Sequence, residues 1–194
     1  MSYRWSVIVG MSAAVIALSG CIPRPQLVLL PPVSVKAAEG GGPGATVGVA
    51  AFDVRPDQKL GIITDADDRK DPLSVTGDAA AGLYDSVTQA LGCMGYKTKP
   101  LAEDGPITLR VELRELSFNA LKRTVDFEIT IKVVVSANAR NGVDTDDRAF
   151  SVSQRKLAGG PPTEVETTRM VNDAVGLALS DMLADQELTG LLSR

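Results

Sequence analysis

The chain has 194 residues, 44% hydrophobic but only 4% aromatic, with 20 basic against 24 acidic side chains, no histidine and two cysteines. An acidic balance with a pI near 4.9 leaves no electrostatic footprint for nucleic acid and no polybasic stretch for anionic lipid. Without histidine, Ser/His/Asp and Cys/His triads and histidine metal sites are excluded, and few aromatics mean a core built from Val, Leu, Ile and Ala.

The N-terminus reads as a secretory signal. Arg4 supplies the positive charge, and Val7 to Leu18 is almost wholly apolar, short of the roughly 20 residues of a membrane-spanning helix. Leu18-Ser19-Gly20-Cys21 then forms a lipobox, in which small residues admit a peptidase and Cys21 becomes the acylated N-terminus. A thioether-linked diacylglycerol with an added N-acyl chain brings more than one chain to the bilayer, which stable anchoring requires. Ile22 follows the cysteine; in enterobacterial lipoproteins an aspartate there resembles an inner-membrane retention signal, so its absence favours the inner leaflet of the outer membrane, facing the periplasm. With Cys21 acylated, Cys93 has no partner in the chain, and its place at the end of an amphipathic helix predicts a small buried thiol.

Pro23 to Gly44 is rich in proline and glycine and reads as a tether, with Leu27 to Leu30 either an edge strand docked on the domain or plain linker. The organisation expected is residues 1–20 as signal peptide, 21–44 as lipidated cysteine and tether, and 45–194 as one periplasmic domain. Thr46 to Val54 alternates as a first strand, and Ile62-Ile63 suggests a short segment before an acidic loop of Asp65, Asp67, Asp68 and Asp71. Leu83, Val87, Leu91 and Met94 make one helical stripe capped by Thr76 or Asp78. Tyr96 to Pro100 is a short strand. Ile107 to Leu113, Val125 to Ala137 and Arg148 to Leu157 are long strands with one polar face each, separated by a turn region over Asn141-Gly142 and Asp144 to Asp147. A capping box, Thr163 with Glu166, opens a helix carrying Val171, Ala174, Val175, Ala178, Met182 and Leu183, and a shorter turn follows over Leu188 to Leu192. The order predicts an α/β (α+β) domain: a two-layer sandwich with a mainly antiparallel sheet and two helices packed on one face.

No pattern carries chemistry strongly. The acidic clusters at Asp65 to Asp71 and Asp144 to Asp147 could attract calcium, but they lack the ligand order of an EF-hand and read as solvated loops. Glu112 and Glu128 could face each other as a hydrolase pair, although Arg110, Arg114 and Lys132 on the same sheet face make cross-strand ion pairs the simpler account. Asp53 and Arg55 project from one face at a strand end, as a structural ion pair or a binding site.

The lipobox through Cys21, Val47-Gly48-Val49 leading into Asp53-Val54-Arg55-Pro56-Asp57-Gln58-Lys59-Leu60-Gly61, the step Leu91-Gly92-Cys93-Met94-Gly95-Tyr96, the run Val133 to Gly142 and the closing helix together resemble the YajG-like family of bacterial lipoproteins. The resemblance implies an envelope lipoprotein without established activity and transfers no catalytic residue. The function expected is a non-enzymatic, membrane-anchored interaction module without cofactor, binding an envelope protein or polymer. Candidate surfaces are the sheet face of Arg110, Glu112, Arg114, Glu128 and Lys132, or the Asp53/Arg55 end. The alternatives are a lipid or small-molecule carrier with a cavity between helices and sheet and, last, a carboxylate hydrolase.

Overall fold

The computed structural model describes residues 25–37, 44–101 and 105–193. Eight strands and three helices follow in the order β1 (Gln26–Leu29), β2 (Thr46–Asp53), β3 (Lys59–Thr64), β4 (Lys70–Thr76), α1 (Ala79–Cys93), β5 (Lys97–Pro100), β6 (Ile107–Lys122), β7 (Phe127–Asn141), β8 (Asp144–Ala158), α2 (Glu164–Ala184) and α3 (Gln186–Leu192).

Alternation builds the centre of the sheet. Ile129, Ile131, Val133 and Val135 of β7 are buried on one face, while Thr130 and Lys132 turn outward. The stripe of α1, a helix capped by Asp78, buries Leu83, Val87 and Leu91 where the helix packs on β2 and β5, while α2 and α3 cover β7. Thr163 and Glu166 form the capping box of α2, whose Val171, Ala174, Ala178 and Met182 are fully buried.

The sheet differs from the expected antiparallel sandwich. Pairings β1–β4, β2–β5, β2–β6 and β3–β6 are parallel, while β3–β4, β6–β7 and β7–β8 are antiparallel, so four of seven pairings are parallel. Parallel neighbours need a crossover, and α1 supplies it between β2 and β5. One edge of β6 runs along β7 for its whole length; the other forks, pairing β2 over Thr108 to Leu113 and β3 over Phe118 to Leu121. A register shift between Leu113 and Glu115 lies at the fork. There the buried set passes from Leu109, Val111 and Leu113 to Leu116, Phe118 and Ala120. Helix α2 touches both β8 and β1, strands at opposite ends of the sheet, which therefore curls around it.

Several boundaries move. The acidic run Asp144 to Asp147 belongs to β8 and not to a turn, because Asn141 and Asp144 already face each other across Gly142-Val143. Val125 lies outside β7 and is exposed. Within the segment read as a tether over 21–44, Gln26–Leu29 is docked, since β1 joins β4 in parallel and buries Val28 completely.

Candidate functional site

The outward face of β6 to β8 holds the charged residues in three separate groups. Around the bulge, Glu112 accepts from Arg110 Nε at 2.8 Å and pairs with Arg114 at 3.0 Å, while Arg114 Nε donates to Ser136 Oγ at 2.6 Å. The Arg110 guanidinium also lies 4.3 Å from the Phe52 ring centre, a cation–π contact on a half-exposed aromatic. Further along, Lys132 pairs with Glu115 at 2.7 Å. At the far end, Glu128 accepts from Arg123 and Arg155, both at 2.9 Å. Those two hydrogen bonds hold its carboxyl below the usual carboxylate range.

These groups do not make a hydrolytic pair. Glu112 lies opposite Ser136 and Glu128, near the start of β7, lies opposite Leu121, so roughly 26 Å of strand separates them. Acid and base in glycoside hydrolysis stand within about 9.5 Å of one another. The expectation that Glu112 and Glu128 face each other is corrected, and cross-strand and same-strand ion pairs account for both.

Asp53 and Arg55 sit where β2 leaves the fork. Arg55 binds the carboxylate through Nε at 2.8 Å and Nη2 at 2.6 Å, with its amide on the same oxygen as Nε at 3.2 Å. The Arg55 side chain is only 4% exposed. The Val54 amide donates to the Leu113 carbonyl beside the bulge. A buried bidentate pair at this point fixes the exit of the chain from β2, so the structural reading fits better than a binding site.

A constellation that sequence reasoning missed holds the N-terminal strap, residues 30–37, across the helices. Gly82 of α1 lets the Leu30 carbonyl press directly on the helix, and Gly176 of α2 does the same for the Ser34 carbonyl. Four residues beyond each glycine a serine completes the cleft. Ser86 Oγ donates to the Gly82 carbonyl at 2.6 Å and accepts from the Val33 amide at 2.8 Å. Ser180 Oγ donates to the Gly176 carbonyl at 2.7 Å and accepts from the Lys36 amide at 2.9 Å. The signal was present twice as Gly-x-x-x-Ser on a helix, spacing that places both residues on one face. Gln26 adds a hydrogen bond to the Pro162 carbonyl.

The remaining candidates resolve locally. Asp65 accepts from the amides of Asp67 and Arg69 and from the Arg69 side chain. Desolvation would raise its pKa, but these hydrogen bonds outweigh it and hold the carboxyl low. The acidic loop thus closes the β3–β4 turn, and among the described residues no group of three or more acidic or cysteine side chains is placed to hold a metal. Cys93 is exposed, correcting the buried thiol, because it lies off the α1 stripe that ends with Met94. The space between helices and sheet, where a carried ligand would sit, is filled by Leu109, Val111, Ile131, Leu179 and Met182. An open groove of about 550 Å³ runs instead beside the strap, between Pro32 and Leu177. Leu18, Ser19, Gly20 and Cys21 lie outside the described residues.

A family model described as "uncharacterized lipoprotein", Lipoprotein_16, matches residues 31–193, and the chain belongs to that family. Among curated proteins none matches. A Xanthomonas campestris protein of the DUF330 family is similar in structure at 14% identity, with 86% of this chain and 95% of that one covered and a TM-score of 0.47. A homolog of a neuraminyllactose-binding hemagglutinin from Helicobacter pylori is similar at 9% identity, 81% and 92% coverage and a TM-score of 0.44. Among the described residues no helix is long and apolar enough to cross a membrane.

Proposed function

We propose that this lipoprotein is anchored through lipid on Cys21, in the outer membrane and facing the periplasm, as a YajG-like, non-enzymatic module that binds an envelope protein or polymer. The docking of β1 carries the reading. Only residues 22–25 separate Cys21 from β1, a reach of at most roughly 18 Å when fully extended. A lipid on Cys21 would then hold the β1 edge of the sheet close to the bilayer instead of letting the domain drift on a long tether. The opposite end of the sheet, with the charged outward face of β6 to β8, would be presented away from that edge. Arg110, Glu112, Arg114 and Lys132 offer alternating charge there for a polar partner, while Asp53 and Arg55 serve the fold.

Two measurements test this. Metabolic labelling with palmitate should mark the natural chain, and Cys21→Ala should lose both label and membrane association. Photo-crosslinking side chains at Arg110 and Lys132, with Thr189 on α3 as a control position, should trap one discrete adduct in intact envelopes. An unlabelled natural chain refutes the anchor. A diffuse smear that is the same at all three positions refutes the interaction surface.

A further inference from the structure

The third long strand ends the sheet with an open edge. Among the described residues β8 pairs only with β7. Its 15 residues amount to about 50 Å of edge. The β7–β8 register runs without a shift from Phe127–Ala158 to Asn141–Asp144, and β8 contains neither proline nor glycine. Long regular edges of this kind template the addition of another strand, and charges on the edge, here inward Asp146, Arg148 and Lys156 among them, turn away strands that do not match them in charge. In β8 the charges are confined to the two ends, leaving Ala149-Phe150-Ser151-Val152-Ser153 neutral between them.

The arrangement of those charges selects the added strand. Asp144, Asp146 and Asp147 occupy the first part of β8 together with Arg148, which is held within its own chain by Asp146 and Asp185, and Arg155 and Lys156 occupy the last part. We propose that β8 pairs antiparallel with β8 of a second copy of this chain, with Ser151 on the two-fold axis. In this register Asp147 meets Arg155 of the second copy on the outward face, and Asp146 meets Lys156 on the inward face. Phe150 lies opposite Val152, and Ala149 opposite Ser153. Symmetry repeats each pair, so four opposite-charge contacts form and no like charges meet. Shifting the axis to Val152 instead sets Arg148 against Lys156 and Asp147 against Leu157, and shifting it to Phe150 keeps only the Asp144–Lys156 contact, so the charges favour the Ser151 register. Directly opposed residues share a face, so the two sheets become one continuous surface with the helices of both copies on the same side. The β1 edge lies at the other end of the sheet and stays free. The interface is isologous and closed, giving a dimer and no filament.

The test uses the full chain purified in detergent with Cys93→Ser as the background. Opposed Cα atoms across an antiparallel pair lie about 4.5 to 5.5 Å apart, within the span of a disulfide. Ser151→Cys should therefore give a dimer on mild oxidation. Ala149→Cys and Ser153→Cys should each lose it, because each residue lies about 13 Å from its own copy, whereas Ala149→Cys with Ser153→Cys in one chain should restore it. Sedimentation equilibrium should show Asp147→Lys and Arg155→Asp each weakening the dimer roughly tenfold. An equimolar mixture of these two variants should recover the affinity, since the heterodimer sets the introduced lysine against the introduced aspartate and keeps one natural Asp147–Arg155 contact. Thermal melts of each variant check that the fold persists; Glu128 keeps Arg123 when Arg155 changes. A monomeric natural chain, equal crosslinking at all three single positions, or a mixture no tighter than its components would each overturn the proposal.

Discussion

The strap clefts give the sharpest test of how this fold holds together. Alanine exceeds glycine in helix propensity by about 1 kcal/mol, so Gly82→Ala should stabilise α1 if nothing else changes. The structure predicts the reverse. A Cβ at Gly82 meets the carbonyl oxygen and carbon of Leu30, which are backbone atoms, so relief requires the strap itself to move. Moving it exposes Leu30, now 7% exposed, at about 1.5–3 kcal/mol, an upper estimate because denatured chains already bury some surface. It also breaks the Val33–Ser86 hydrogen bond, worth about 1 kcal/mol net. Subtracting the propensity gain leaves a destabilisation of about 2 kcal/mol. Gly92→Ala in the same helix is the control, since a Cβ there meets nothing within 4 Å; it should be neutral or stabilising. Urea unfolding measures both, and limited proteolysis reports whether residues 30–37 open first in the Gly82 variant. Equal stability of the two variants, or a Gly82→Ala more stable than the natural chain, refutes the account of the clefts.

Three further outcomes follow from the geometry. Asp53→Asn leaves a guanidinium that is 4% exposed without its counter-charge and should cost about 3 kcal/mol in urea unfolding, with Asp53→Leu/Arg55→Met recovering most of it; a loss of only a few tenths refutes the structural role. Glu128, held low by Arg123 and Arg155, and Glu166, held low chiefly by the Thr163 amide, have folded pKa values below the unfolded ones. Their stabilisation is full above the ordinary glutamate value of 4.5 and lost as pH falls through the folded values. Tm should therefore drop on the acid side, less steeply in Glu128→Gln, and an unaltered acid limb in that variant counts against the pairing. Thr163→Ala removes the α2 cap and should lower stability by about 1 kcal/mol by urea unfolding; no change would mean that Glu166 alone suffices.

What the sequence made legible and what it hid divide along one physical line. Elements whose own residues decide them could be read. The α1 stripe, the Thr163–Glu166 box and the alternation of β7 are set by neighbours three, four or two positions away. The parallel pairings could not be read, because nothing in β2 or β6 states which strand lies beside it, and the alternation that signals a strand is the same in either direction. The reading of β6 stopped at Leu113 for a related reason. The register shift around Arg114 changes the parity of the apolar positions, so a continuous strand resembles two unrelated segments. Of the candidate site residues, the ion-pair role of Asp53 with Arg55 was legible from their spacing. The separation of Glu112 from Glu128 was not, because it depends on the length of β6 beyond that shift.

The strap belongs to the same class and has the larger consequence. Its Pro31-Pro32 and the Gly-rich run after it read as a linker judged by themselves, and the two helices show otherwise. A glycine that removes a side chain and a serine one turn later make a slot for backbone, and the apolar side chains the strap also buries, Leu30 almost fully and Val33, Val35 and Ala37 in part, are too few beside the two prolines to announce the docking. The slots themselves bind main-chain atoms. What the strap cannot do is lengthen between Val33 and Lys36 without losing one of its two hydrogen bonds. The spacing of Val33 and Lys36 is thus set by the distance between Ser86 and Ser180 on separate helices. That makes the N-terminal segment part of the folded unit, so a force on a membrane anchor at Cys21 would be borne first by β1 and the two clefts. Gly82→Ala and Gly176→Ala would then weaken the point at which the domain is held as well as the fold.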